Sequence, residues 1–254
     1  MRIGFIGTGV ITSAIVTGLC TSNFPVEAIW ISPRNREKSK NLEQKFDPVN
    51  IGDSNQEVLE NSDVVVLGIL PGHKNKILEP LEFQSSQVIV HLLAGVSTRE
   101  VLPLVAPAKN VVKVLPLPCV AIHAGPVAMF PENKIVYQIF ESLGSVVLAD
   151  SEDQLEAFTI ITSLMAPYYA ILETISTWAI DEGISRKNAS HYTAAMFGAL
   201  SLIAQNLKNG EVSELITESM TSGGLNELAM KTLDHHGGFK NIKTALKKVK
   251  KKLT

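Results

Sequence analysis

One turn near the start of the chain restricts its fold more than any other feature. A short apolar run, Ile3-Gly4-Phe5-Ile6, leads directly into Gly7-Thr8-Gly9-Val10-Ile11-Thr12, after which a helical pattern continues to Cys20. A strand that passes through glycines into a helix is the context in which a glycine pattern signals dinucleotide binding. Gly7 permits the tight turn, and Gly9 lets backbone approach a pyrophosphate at the positive end of the helix dipole. Gly7, Thr8, Gly9, Val10 and Ile11 are therefore the expected cofactor-binding turn. The place of the usual third glycine or alanine is taken by Thr12, which is expected to loosen helix–strand packing.

The pattern beyond the turn agrees with it. Ala28–Ser32, Val64–Ile69, Val88–Leu92 and Val111–Leu115 are further runs rich in Val and Ile, with polar or amphipathic stretches such as Arg36–Lys45 and Gln56–Asn61 between them. Largely apolar strands separated by helices imply a parallel sheet covered on both faces. Val127–Phe130 and Val146–Leu148 read as two more strands around a helix at Ile135–Ser142. After Ala149 no strand pattern remains, and Glu152 to Leu207 reads as long helices, with Asp181-Glu182-Gly183-Ile184-Ser185 as a stop and a new start. The expected architecture is a Rossmann-type α/β domain with a parallel sheet over residues 1–150, then an all-α domain over 151–254.

Composition adds an assembly. The 254 residues are 45% hydrophobic and only 19% charged. No charge occurs from Ala157 to Leu172, so that helix is apolar nearly all round and requires burial on all sides. A helical tail of this size buries it badly alone, and a homodimer or higher homo-oligomer is expected. The charge-free stretches Ile3–Val26 and Asn188–Leu207 reach the roughly 20 residues of a membrane span. The first is broken by glycines and Pro25, the second carries His191, Tyr192, Gln205 and Asn206, and both read as buried elements of a soluble chain. The net charge of −2 offers no basic field for nucleic acid. The lysines from Lys243 to Lys252 read as a solvated helix end. Two cysteines, Cys20 and Cys119, and no apolar leader before Gly7 suit a cytoplasmic protein. There is no C-x-x-C, H-E-x-x-H or G-x-S-x-G, and no metal is expected.

The end of the second strand bears on cofactor choice. NAD-specific folds place an acid there to bond the ribose 2′-hydroxyl. Here the residues are Trp30-Ile31-Ser32-Pro33-Arg34-Asn35-Arg36, with no carboxylate. Ser32, Arg34 and Asn35 are expected to donate to a 2′-phosphate, with Arg36 in reserve, which favours NADP(H) over NAD(H).

The order of motifs resembles the pyrroline-5-carboxylate reductase family over nearly the whole chain. Gly7-Thr8-Gly9 is similar to its opening turn, and Leu70-Pro71 occupies the place of its Lys-Pro. Leu92-Leu93-Ala94-Gly95-Val96-Ser97 resembles its Ala-Gly turn after the fourth strand. Val114-Leu115-Pro116-Leu117-Pro118 stands for Met-Pro-Asn-Thr-Pro, and Thr221-Ser222-Gly223-Gly224-Leu225-Asn226 for Thr-Ser-Pro-Gly-Gly-Thr-Thr. The resemblance implies that Leu70, Pro71, Ala94 and Gly95 join the cofactor site. It also implies that hydride transfer reduces the C=N bond of 1-pyrroline-5-carboxylate to give proline. The substrate carboxylate needs backbone donors, which the Gly223-Gly224 turn at a helix start provides together with Ser222 and Asn226. Asn226, in the place of a family threonine near the imine nitrogen, is the candidate catalytic polar group; Ser222 or Asn226 also suits a helix cap. Tyr168, beside Pro167, is placed to orient substrate.

The departures keep other functions open. Leu70 replaces the customary lysine, the family's Asn after the fifth strand is absent, and Ser163-Leu164-Met165-Ala166-Pro167 replaces Ser-Gly-Ser-Gly-Pro. These fit reduction of a different cyclic imine, or nucleotide binding without turnover. A 3-hydroxyacid-type dehydrogenase shares the two-domain plan, but its usual lysine has no counterpart between Glu152 and Ile180.

Overall fold

The computed structural model describes residues 1–253, which divide into two compact units, Met1–Thr159 and the residues from Ile160 onward. The first unit contains strands β1 (Arg2–Ile6), β2 (Ala28–Ile31), β3 (Val49–Ile51), β4 (Val64–Leu67), β5 (Val88–His91), β6 (Asn110–Leu115), β7 (Pro126–Phe130) and β8 (Ser145–Leu148). Its helices are α1 (Val10–Thr21), α2 (Arg36–Lys45), α3 (Asn55–Glu60), α4 (Lys74–Leu78), α5 (Thr98–Val101) and α6 (Lys134–Glu141). Helix α7 (Glu152–Thr162) runs across the division.

All eight strands form one sheet in the order β3-β2-β1-β4-β5-β6-β7-β8. Its first six positions follow the 3-2-1-4-5-6 order of dinucleotide-binding folds. The pairing is parallel throughout except between β6 and β7, which are antiparallel. The expected parallel sheet is present, with this one antiparallel pair. The connection over 116–125 carries only a short 3₁₀ turn, whereas a parallel return needs a crossover of a dozen or more residues. Strand β3, absent from the sequence reading, is a three-residue edge strand too short to show a period.

Strands β4 and β5 are buried along their whole length, as an apolar run under two covering layers requires. One face packs Ile3, Phe5, Ile15 and Leu19 with α1 and α6, and the other packs Ile6, Val65, Leu67 and Ile89 under α3 to α5. Thr12 does not loosen this packing. It is buried, its Oγ1 donates to the Gly7 carbonyl at 2.7 Å, and Gly68 across from it has no side chain where a Cβ would meet that oxygen.

The second unit holds α8 (Met165–Asp181), α9 (Arg186–Gln205), α10 (Val212–Glu218), α11 (Leu225–His235) and α12 (Gly238–Leu253). The predicted stop and start are present: α8 ends at Asp181, Gly183 adopts φ +90°, and the Ser185 side chain caps α9 by accepting from the Asn188 amide. Within one chain much of the apolar helical surface stays uncovered. The charge-free stretch is not one buried helix, because α7 ends at Thr162 and α8 starts at Met165, and Ile161, Tyr169 and Ile171 are exposed. The stretch Asn188–Leu207 buries only Ala189 and Thr193, while Tyr192, Leu200, Leu202 and Ile203 face outward. In this unit α8 packs on α9 and α11 on α12, and many of their remaining apolar side chains are exposed. By length and composition alone, Glu152–Asp181 is apolar enough to cross a bilayer.

Candidate active site

The carboxyl ends of β1, β2 and β4 converge where the strand order reverses, which is where open α/β sheets bind ligands. A cavity of about 450 Å³ lies there, lined by Gly7, Thr8, Gly9, Arg34, Asn35, Arg36, Gly68, Ile69 and Leu70. Chain segments about 30 residues apart in sequence meet at this point because each follows a neighbouring parallel strand.

The turn is built for close approach. Gly7 sits at φ +99°, and a Cβ there would lie 2.5 Å from the Gly68 carbonyl oxygen. Its N–H donates to Ser32 Oγ at 2.9 Å, and the Thr8 hydroxyl donates to the Ser32 carbonyl at 2.9 Å. Ser39 Oγ donates to that same carbonyl at 3.0 Å. Gly9 is the N-cap of α1, and a Cβ added to it would meet nothing within 4 Å. The first backbone amide to bond back into the helix is that of Ser13, to the Gly9 carbonyl at 3.0 Å. The amides of Val10, Ile11 and Thr12 therefore remain as unsatisfied donors at the positive end of a twelve-residue helix.

Not every expected residue faces the cavity. Ser32 is buried and engaged by Gly7, Thr8 and Ser39, so it builds the wall instead of meeting a phosphate. Asn35 caps α2, its Oδ1 accepting from the Lys38 amide at 3.4 Å, which leaves its amide group for a ligand. Arg34 and Arg36 are exposed on the cavity wall and form no ion pair among the described residues. Leu70 lines the cavity 66% exposed and Val10 is 62% exposed, whereas Ile11 packs against the core. Pro71 opens a 3₁₀ turn beside the cavity, and Ala94 and Gly95 lie exposed after β5, outside its lining. Gly68 and Ile69 were missed, because a glycine at a strand end carries no sequence signal for the Thr12 side chain it accommodates. Cys20 is half-buried with its thiol pushed up to about 11 by burial, a packing group and not a nucleophile.

In the second unit, the turn before α11 differs in detail from the expectation. Gly224, not Ser222 or Asn226, is the N-cap. The Gly223 N–H donates to Glu227 Oε2 at 2.7 Å and the Gly224 N–H to the Thr221 carbonyl at 2.8 Å. Both amides assigned to the substrate carboxylate are thus occupied, and the open donors are those of Leu225 and Asn226 at the helix start. The Asn226 side chain donates from Nδ2 to the Ser219 carbonyl at 2.9 Å. Glu227 also pairs with Lys231 at 2.7 Å, and these contacts hold its carboxyl below the usual range. Ser222 is exposed. Tyr168 sits on α8 with its ring 5.5 Å from Tyr169 and 6.4 Å from Phe197, in an aromatic cluster.

A glycine cradle open at Gly9, three free helix-start amides and two unpaired arginines fit a dinucleotide with its pyrophosphate and ribose. The chain is, by fold and site, an NAD(P)-dependent oxidoreductase: a nicotinamide-dinucleotide domain followed by a helical domain. Residues 2–95 match the model described as NADP oxidoreductase coenzyme F420-dependent, and residues 152–254 match that of pyrroline-5-carboxylate reductase dimerisation. Over its helical part the chain matches the pyrroline-5-carboxylate reductase dimerisation model, and over nearly its whole length it is similar to pyrroline-5-carboxylate reductases. A pyrroline-5-carboxylate reductase of Vibrio alginolyticus is 24% identical over 246 residues, covering 92% of this chain and 90% of the relative. The 1-pyrroline-5-carboxylate reductase of Streptococcus pyogenes superposes with a TM-score of 0.85 at 24% identity, over 100% of this chain and 98% of that one. A Plasmodium falciparum pyrroline carboxylate reductase with NADP bound gives 0.85 at 18% identity, over 100% and 97%. The dimerisation match gives the exposed apolar helix faces a use, in a homo-oligomer.

Proposed function

We propose that this chain reduces 1-pyrroline-5-carboxylate to proline with NADPH, as a cytoplasmic homodimer. The observation that carries the reading is the cavity at the strand reversal, where the Gly7–Gly9 turn meets Arg34 and Arg36 with no carboxylate on its wall. The amides of Val10, Ile11 and Thr12 take the pyrophosphate, and Arg34, Arg36 and the Asn35 amide take a 2′-phosphate. Leu70, Pro71, Ala94 and Gly95 border the nicotinamide end. When bound, the reduced nicotinamide supplies a hydride to the C=N carbon.

The substrate carboxylate is held by the Leu225 and Asn226 amides, with Gly223 at φ +73° shaping the turn behind them. Ser222 and Tyr168 border that end of the substrate. The Asn226 side chain, tied to Ser219, orients this turn and is a poor general acid. A cyclic imine that binds protonated needs none, so positioning does most of the work. Reduction of a more apolar cyclic imine is the second reading. It is favoured by exposed Leu70 in the cavity where the family carries a lysine.

Crystals grown with NADPH and a proline-like carboxylate test the assignment. The phosphates are expected on the Gly7–Thr12 turn and Arg34, and the ligand carboxylate on the Leu225 and Asn226 amides. A carboxylate seated elsewhere overturns the substrate reading and leaves the cofactor reading standing.

A further inference from the structure

A cluster of buried and half-buried charge lies in the first unit, away from the glycine turn. His91 ends β5 fully buried, and its register partner on β6 is Lys113, only 5% exposed. His91 Nε2 lies 3.4 Å from Thr98 Oγ1, while its Nδ1 has no partner. The backbone N–H of the same Thr98 donates to Glu152 Oε1 at 2.6 Å, across 54 residues of sequence. Glu152 is the first residue of α7 and also the first residue of the region that matches the dimerisation model.

Two features show that Glu152 does more than complement its own helix dipole. Its oxygen reaches the first amide of another helix, α5, whose start already carries a Ser97–Glu100 capping box. Burial pushes the Lys113 ammonium down from its ordinary value, and the charges of Glu152, then Glu156 and Glu100, work against that shift. A cation so placed needs a carboxylate. His91 does not compete, because burial and the neighbouring Lys113 push it down to about 4 and keep it neutral. Glu100 in turn pairs with Lys74 at 3.5 Å, in the helix that follows Pro71. The segments after β4 and β5 are therefore linked to each other, and the second of them to α7.

We propose that Glu152 is a positioning residue, whose bond to the Thr98 amide anchors the Ala94–Gly95 loop to the first turn of α7. The inference rests on the reading above in one respect: that loop borders the nicotinamide. The pyrophosphate and 2′-phosphate contacts lie elsewhere, on the glycine turn and Arg34. Loss of the anchor therefore misplaces the reacting end of the cofactor more than it weakens cofactor binding.

Glu152→Ala, Glu152→Gln and Glu156→Ala in the full-length protein separate anchoring from charge. Amide exchange at Thr98, read by NMR, is expected to speed up about tenfold in Glu152→Ala, the scale of one lost bond to a charged acceptor. It stays near the wild-type rate in Glu152→Gln, which keeps an acceptor, and in Glu156→Ala, which supports Lys113 without touching Thr98. In parallel, kcat falls about tenfold in Glu152→Ala while KM for NADPH changes by less than about twofold, the pattern of a lost transition-state interaction. Unchanged Thr98 exchange in Glu152→Ala, or equal effects of the Glu152→Ala and Glu156→Ala changes, overturns the proposal. If the wild-type protein turns over no imine, the functional reading fails, and the exchange measurement still upholds or overturns the anchor.

Discussion

Gly9 separates what the glycine turn does for the fold from what it does for a ligand, and Gly9→Asp is the change that exposes the difference. A Cβ at Gly9 meets nothing within 4 Å, and the residue occupies the N-cap of α1 in extended conformation with no side-chain cap. Asp is among the best N-cap residues, and a negative charge at a helix start gains roughly 0.3–1 kcal/mol. The free protein should therefore hold its stability or gain about 0.5–1 kcal/mol, seen as a rise of a few degrees at most in Tm. The same carboxylate would stand beside the pyrophosphate. At about 4 Å and an effective dielectric constant of about 20, two unit charges repel by about 4 kcal/mol. That corresponds to about a thousandfold loss of NADPH affinity. Titration of nucleotide fluorescence and a thermal melt on the same sample read both quantities. Unchanged affinity refutes the turn assignment. A Tm lowered by about 5 °C or more refutes the claim that Gly9 serves the ligand and not the fold.

Four further outcomes follow from the same geometry. Arg34→Ala should weaken NADPH at least about tenfold and NADH less than about twofold, the difference being one guanidinium–phosphate contact; equal losses in binding titrations remove the basis for phosphate preference. Gly68→Ala places a methyl against Thr12 Oγ1 and should cost about 1–3 kcal/mol in denaturant melts, partly restored by adding Thr12→Ala. His91 is held neutral when folded, down to about 4, so below its ordinary value of about 6.5 only the unfolded chain takes up the proton. Stability should thus fall by about 3 kcal/mol as pH drops from about 6.5 to about 4, a slope absent in His91→Gln and checked by urea midpoints across that range. Leu202→Glu on the exposed face of α9 should lower the mass measured by light scattering to that of one chain, and an unchanged mass removes that face from the assembly surface.

Much of the first unit is legible in the sequence because its signals are local. Ile3–Ile6, Val64–Leu67 and Val88–His91 announce themselves as apolar runs, and the glycine turn follows the first of them directly. What the sequence leaves out depends on pairing between distant segments. The reversal of β7 against β6 follows from a connection too short for a crossover, and Ser32 changes from ligand donor to wall because Gly7 and Thr8 reach its atoms across the sheet end. In the second unit, the Asp181–Ser185 break is a local signal and is present as expected. The Gly223 and Gly224 amides are different: Glu227 and Thr221 occupy them, and only the folded turn shows which N–H groups remain. The apolar excess of the helices is visible in composition, but its meaning lies in surfaces that one chain leaves uncovered.

Hydride transfer from NADPH to the C=N carbon of 1-pyrroline-5-carboxylate leaves a mark on the product that can be weighed. The purified protein is incubated with that imine and NADPH carrying deuterium at both C4 positions of the nicotinamide, and the amino-acid product is read by mass spectrometry. The expected product is proline one mass unit heavier, with the deuterium on the former C=N carbon and one NADPH consumed per proline formed. Tight NADPH binding with no labelled proline would contradict it.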